Sequence, residues 1–294
     1  MSERRYHIAA HAFTAEALVP ALYLVPTPIG NLMDITLRAL QVLAAADLIY
    51  CEDTRVTARL LERYGIRASL KSCHDHNEKV VAADIIAAVQ GGKSVALASD
   101  AGTPLLSDPG FGVVREAVAQ AIRIEALPGP SALLPALQLS ALPVDAFTFL
   151  GFLPQKKNER RKLLEALRTR RETLVAYESP HRIIDTLADI AEVLGARPLS
   201  VSREISKLHE ETLRGTGSEV SNAIQQRPSV KGEFVLLIGG ALAPPEADAS
   251  AIEAAIEMAL ADHPASKAAA LVARQLSVAR DDVYARILKR QGKA

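Results

Sequence analysis

The residues best equipped for chemistry sit in one stretch, Ser99-Asp100-Ala101-Gly102-Thr103-Pro104-Leu105-Leu106-Ser107-Asp108-Pro109-Gly110. It holds two carboxylates, three hydroxyls, two prolines and two glycines within twelve residues. Glycine lets backbone approach a ligand closely and proline fixes the loop's shape. An apolar run over residues 94–98 leads in and an amphipathic stretch over 111–121 leads out, so the pattern predicts strand, polar loop, helix. The carboxyl end of a parallel strand is where open α/β sheets bind ligands. Two further loops have related chemistry, one over residues 26–31 and one over 128–131. All three are rich in Pro and Gly, and none carries a lysine. A phosphate cradle would read G-x-x-x-x-G-K-[ST], or G-x-G-x-x-G opening a helix, and neither is present. The loops therefore suit a neutral or cationic ligand met by backbone and carboxylate. This argues against an NTPase and, more weakly, against a dinucleotide enzyme.

Elements must deliver those loops. Apolar runs predict strands at 22–25, 48–50, 69–72, 94–98 and 124–127. Helical spacing predicts helices at 35–45, 56–64, 80–89, 111–121 and 132–139. Strands alternating with helices argue for a parallel sheet. The pattern restarts near Phe147, with strands at 147–154, 173–177, 199–202 and 232–240, a hairpin extension at 212–215, and helices before residue 194 and at 219–226. That half reads as a mixed sheet with helices. Residues 241–250, with Pro244-Pro245, suit a linker. Three short helices follow at 252–260, 266–276 and 281–288. The last two have helix-turn-helix spacing around Ser277 and carry Lys267, Arg274, Arg280, Arg286, Lys289, Arg290 and Lys293. A nucleic-acid contact and a plain helical cap suit them about equally.

Composition sets bounds. The 294 residues suit about two domains. Thirty-four basic residues balance 34 acidic ones, so no global basicity announces nucleic acid. Residues 156–171 nevertheless hold eight basic and two acidic residues along a leucine seam. Most such runs are solvated helix faces, but this one's density and single sign raise a nucleic-acid contact slightly above that default. Cys51 and Cys73 form neither a disulfide framework nor a metal-spaced cluster, and no metal is expected. No stretch approaches the ~18–20 apolar residues of a membrane span. The first twenty residues read as a loose extension and not a signal peptide, so a cytoplasmic location is expected.

Seven motifs in order resemble a known family: Leu24-Val25-Pro26-Thr27-Pro28-Ile29-Gly30-Asn31, Cys51-Glu52-Asp53-Thr54-Arg55, the 99–110 loop, Leu127-Pro128-Gly129-Pro130-Ser131-Ala132, Phe149-Leu150-Gly151-Phe152-Leu153-Pro154, Tyr177-Glu178-Ser179-Pro180-His181-Arg182, and Arg203-Glu204-Ile205-Ser206-Lys207-Leu208-His209-Glu210-Glu211. The chain resembles the ribosomal RNA small subunit methyltransferase I family, the 16S rRNA (cytidine-2′-O)-methyltransferases of the tetrapyrrole methylase superfamily. The resemblance spans residues 20–240 and the appended helices. It implies a tetrapyrrole-methylase-like α/β fold with two α/β domains, S-adenosyl-L-methionine in the cleft between them, and a homodimer acting on the small ribosomal subunit. The expected division is an extension over 1–20, domains over 21–145 and 146–242, and a helical RNA-contacting appendage over 250–294. At the cofactor the resemblance implies Pro26, Asp100, Ala101, Gly102, Thr103, Leu106 and Ser131, with Tyr177, Glu178 and Gly239 closing from the second domain.

Methyl transfer to a ribose hydroxyl needs in-line alignment and a group that accepts the hydroxyl proton. Glu52, Asp53, Glu178, Glu204, His181 and His209 sit in polar loops after predicted strands. Glu52, Asp53 and Glu204 are the leading candidates, with Glu52-Asp53 and Arg203-Glu204 expected to face each other across the cleft. For most of these carboxylates a helix cap or an ion pair with a neighbouring arginine is the ordinary role. Arg55, Lys156, Lys157, Arg160, Arg161, Arg182, Arg203 and Lys207 are expected at RNA phosphates. Two alternatives remain: a related methylase acting on a tetrapyrrole or a diphthine-type protein, and a non-catalytic RNA-binding assembly protein.

Overall fold

Alternation along the strands of the first half explains its layering. In the computed structural model, which describes residues 4–74, 76–241, 249–276 and 278–291, five strands form a wholly parallel sheet. They are β3 (Leu22–Val25), β4 (Leu48–Cys51), β5 (Leu70–Ser72), β6 (Val95–Ala98) and β7 (Ile124–Ala126), in the order β5-β4-β6-β3-β7. Tyr23, Val25, Ile49 and Cys51 face one side, where α1 (Leu37–Ala45) and α2 (Thr54–Arg63) pack. Leu22, Tyr50, Val95 and Leu97 face the other, against α3 (Glu78–Gln90) and α4 (Phe111–Ala119). Both faces being covered is what a parallel sheet requires. Side chains cap two of these helices: Thr36 accepts from the Ala39 amide at α1, and Asp53 from the Arg55 amide at α2. Cys51 and Cys73 are both buried within this layer.

The second sheet is mixed, in the order β11-β10-β12-β9-β8. Its strands are β8 (Phe147–Phe152), β9 (Thr173–Glu178), β10 (Leu199–Arg203), β11 (Glu211–Gly215) and β12 (Phe234–Ile238). β8 and β9 run parallel, whereas β12 is antiparallel to both β9 and β10. One face packs on α6 (Lys157–Ala166), α7 (Ile183–Leu194) and α8 (Gly217–Gln225). The other face, through Val175, Val235 and Leu237, packs on Leu133, Ala136 and Leu137 of α5 (Leu133–Leu139). The last helix of the first layer is thus seated on the second sheet. Residues up to 168 and 172–239 accordingly form one compact unit, with residues 169–171 and 240–294 in another.

Residues expected as a loose extension are ordered as a hairpin, β1 (Arg5–Ile8) with β2 (His11–Thr14). Tyr6 stacks on Phe13 at 5.4 Å and is buried in the first layer's core, and Arg4 pairs with Asp47 at 2.6 Å. The turn places Ala9 at φ 52, a conformation that glycine or asparagine ordinarily signals in sequence.

In the second unit α9 (Ala249–Asp262), α10 (Ala265–Leu276) and α11 (Arg280–Arg290) bury Ile256, Ala268, Ala269, Val283 and Ile287 in a core of their own. The expected linker around Pro244-Pro245, the turn residue Ser277 and the cation Lys293 lie outside the described residues. Among the described residues no helix is long and apolar enough to cross a membrane.

Candidate active site

Strand order brings the three Pro/Gly loops together. β3 lies between β6 and β7, so the loops after these three strands emerge side by side. They are tied to one another: Thr27 and Gly102 exchange backbone hydrogen bonds of 2.9 Å, the Thr27 hydroxyl donates to the Ser99 carbonyl at 2.8 Å, and the Thr103 hydroxyl donates to the Pro130 carbonyl at 2.9 Å. Gly102 has φ 89 and Gly110 has φ 119, while Leu105 and Ser107 take left-handed angles of 70° and 68° without being glycine. Strain of this kind persists where surrounding bonds over-determine the backbone.

The loops wall a cavity of about 340 Å³ with the second sheet opposite, within the ~300–1,000 Å³ range of small-molecule sites. Asp100, Ala101, Gly102, Thr103, Leu106, Ser131, Tyr177 and Glu178 line it. So do residues that sequence did not assign to the cofactor: Ile29, Ser107, Asp108, Phe152, Ile205 and the run 232–235. The Tyr177 ring meets Phe149 and Phe152 edge-on at 5.0 and 5.7 Å. Four carboxylate residues line the cavity, Asp100, Asp108, Glu178 and Glu233, and among the described lining residues none is Lys or Arg.

The carboxylates differ in their ties. Asp100 accepts from the Asp53 amide with both oxygens, at 3.0 and 3.1 Å, yet burial still raises its pKa. Burial also raises Asp108, against the Ser99 hydroxyl that donates to it, and the charge of Asp100 adds to the shift. Ser107 and Asp108 thus belong to the cavity wall. Glu178 is fully occupied: it accepts from the Ser179 amide at 2.8 Å, the Thr186 hydroxyl at 2.7 Å and Arg182 at 3.2 Å. Its carboxylate fastens the chain leaving β9.

Two expected cofactor residues lie elsewhere. Gly239 follows the end of β12, against Pro198 and Leu142. Because β12 is antiparallel to β9, with Phe234 opposite Glu178, its beginning and not its end reaches the cavity. Pro26 abuts Gly129, where a Cβ would come within 2.7 Å of its ring, and does not line the cavity.

The expected base candidates divide by electrostatics. Asp53 is held at about 2 by hydrogen bonds from Arg55. Burial pushes Glu204 up, but Lys207 at 3.0 Å and the Glu233 amide outweigh it and leave the carboxyl below its usual range. Glu52 borders a narrow crevice with Cys73, Asp100 and Asp108. Asp53 is thereby tied to Asp100 and Glu204 to the Lys207–Glu233 group.

Most expected phosphate-binding cations are already engaged. Arg160 is buried and paired with Asp189 at 2.5 Å, so it is a core residue and not a surface contact. Arg161 binds Glu192 at 2.6 Å, Lys156 binds Glu159 at 3.2 Å, and Lys157 lies 4.0 Å from Asp189. Arg182 donates to the Leu153 carbonyl at 2.7 Å besides its contact with Glu178. Arg203 pairs with Glu211 at 3.1 Å, and Lys207 with Glu233 at 2.9 Å. Arg55 pairs with Asp53 but keeps 85% of its side chain exposed.

The fold and this geometry have relatives. Residues 21–221 match the family described as Tetrapyrrole (Corrin/Porphyrin) Methylases, and residues 246–291 match the RsmI C-terminal HTH domain. A ribosomal RNA small subunit methyltransferase I of Mesorhizobium japonicum is 48% identical over 276 residues, covering 94% of each chain. Among solved structures, a cobalt precorrin-4 methyltransferase superposes with TM-score 0.57 at 17% identity, covering 75% of this chain and 95% of that one. A Thermus thermophilus uroporphyrin-III C-methyltransferase complexed with S-adenosyl homocysteine gives 0.50 at 18% identity, covering 74% of this chain and 97% of that one. The family match spans more than half of the chain, and the relative matches nearly from end to end: the chain belongs to the tetrapyrrole methylases.

Proposed function

We propose that the protein is an S-adenosyl-L-methionine-dependent methyltransferase that acts on ribosomal RNA of the small subunit, methylating the ribose 2′-hydroxyl of a cytidine in the decoding region. The observation that carries the cofactor is the cavity's charge. A pocket lined by carboxylates without lysine or arginine suits a ligand bearing positive charge and repels free phosphate. The apolar wall of Ile29, Ala132, Ile205 and Val235, with the Tyr177 ring, suits a flat heterocycle. The likeness to a ribosomal RNA methyltransferase over 94% of both chains supports the substrate. Such a substrate sets the protein's work in the cytoplasm, and a pair of identical chains is the assembly in this reading.

The cofactor supplies an activated methyl group, and the chain supplies position, charge and a proton acceptor. In this reading Asp100, fixed by the Asp53 amide, faces the cationic part of the ligand. Thr103 holds its loop to the 128–131 loop through the Pro130 carbonyl, and Tyr177 with Phe152 excludes water. A base works best with a pKa near the operating pH. Asp53 and Glu204, both held low, are ill suited. Glu52 and Asp108, which border the same crevice as Asp100, take that step in this reading.

Incubation of isolated small subunits with methyl-labelled S-adenosylmethionine tests the activity, and mapping the label to a ribose tests its position. Label transfer to a precorrin or a diphthine-type protein instead would overturn the substrate. In the same assay Glu52→Gln should lower kcat by about 100-fold with cofactor affinity kept, and Asp108→Asn should lower kcat by as much, within the range for lost general-base catalysis. Full rates in both variants would send the proton elsewhere.

A further inference from the structure

We infer that the exposed face of α2 is the track that guides the RNA backbone to the cavity, through a row formed by Arg55, Arg59 and Arg63. This rests on the RNA-substrate reading above. The cavity itself is lined by acids, so phosphates must be gripped outside it. Five of the eight cations that sequence placed there are spent: Arg160, Arg161, Arg182, Arg203 and Lys207 are each bound to a carboxylate at 3.2 Å or less and at most a third exposed, whereas Arg55, paired with Asp53 at 2.6 Å, keeps 85% of its side chain exposed. Among the described residues, by contrast, no ion pair joins Arg59 or Arg63 to a carboxylate.

Geometry favours this helix further. Residues four apart share a helix face, and the three arginines follow at that interval. Each step is about 6 Å along the axis, which long arginine side chains can span between successive phosphates on an extended strand. Thr57, Leu60 and Leu61 turn inward and are buried, which orients the row outward. Glu62 is the helix's one acid. The row also starts at the right place. Asp53, the N-cap of α2, gives its amide to Asp100 on the cavity wall, so Arg55 stands close to the mouth and Arg63 just over two turns, about 12 Å, further along. A sugar-phosphate backbone is the partner this row fits, because Arg forks bind phosphate oxygens in pairs.

The test uses the full-length Arg59→Ala/Arg63→Ala protein with isolated small subunits and labelled S-adenosylmethionine. The KM for subunits should rise at least tenfold with kcat within about twofold. The slope of log(kcat/KM) against log salt should shrink by about 1 to 2, as loss of two phosphate contacts requires. Calorimetric affinity for S-adenosylmethionine should match the unaltered protein. Lys79→Ala/Arg115→Ala, of equal charge on α3 and α4, should leave KM unchanged. An unaltered KM and salt slope in the α2 variant, or a KM increase equalled by the control pair, would overturn the track while leaving the RNA reading intact. An unaltered protein that neither binds nor methylates subunits would overturn both.

Discussion

Asp100 joins three constraints at one carboxylate: it belongs to the cavity wall, it receives the Asp53 amide, and burial raises its pKa. A cationic ligand favours the ionised form, so affinity for S-adenosylmethionine should fall as pH drops through the raised value of Asp100. Stability of the ligand-free protein should move the other way. A carboxyl whose folded pKa exceeds its unfolded one destabilises the fold when ionised, and that penalty is relieved as pH falls through the folded value. Calorimetry across this window should show Asp100→Asn binding weakly and with a flatter pH dependence. The difference in melting temperature between the two proteins isolates Asp100 from Asp47 and Glu211, whose lowered pKa values act with opposite sign. Residue types made Asp100 legible in the sequence. They could not reveal Arg160, whose apparent surface charge is neutralised by Asp189, 29 residues on and inside the core.

Helix α4 begins without a cap of its own, because its N-cap is Gly110. Glu78, the first residue of α3, supplies one: a single carboxylate oxygen accepts from the amides of Gly110, Gly112 and Val113 at 3.0, 2.6 and 3.3 Å. A Cβ at residue 112 would come within 3.1 Å of that carboxylate, which gives the second glycine of Asp108-Pro109-Gly110-Phe111-Gly112 a reason to be there. The cap fixes the far end of the cavity loop from outside the cavity. Glu78→Ala should cost about 1 kcal/mol, as a lost N-cap does, and raise KM for S-adenosylmethionine more than it lowers kcat. Glu78→Gln, which keeps an acceptor oxygen, should recover most of both. At this scale the strands and helices were largely readable, since apolar runs and helical spacing mark them locally. The parallel first sheet was readable too, but the direction of each strand in the mixed second sheet was not. Nothing within residues 234–238 says that β12 runs antiparallel to β9, and that alone displaced Gly239 and hid Gly232, Glu233, Phe234 and Val235. The hairpin over residues 5–14 escaped for a related reason, its turn being made by Ala9 at φ 52 with no glycine to announce it.

Over the whole of the larger unit, α5 decides how the two sheets share their fate. Its Leu133, Ala136 and Leu137 fill the face of the second sheet although the helix follows β7 of the first. Residues 4–168 and 172–239 should therefore melt in one calorimetric transition, and Leu137→Ala should lower that transition by the ~2–5 kcal/mol of a buried leucine deletion. Two separate transitions would mean the sheets unfold independently. The sequence suggested a boundary at residue 145; a helix that crosses from one layer to the other blurs such a line, because composition does not record which sheet an apolar face meets. Both native thiols lie inside the first layer's core, and burial raises the pKa of Cys51, so neither competes for a thiol-specific reagent in the folded state. A single cysteine introduced at Arg59 would be the sole reactive handle, and a fluorophore attached there would report contact between α2 and RNA without any native residue having to be removed.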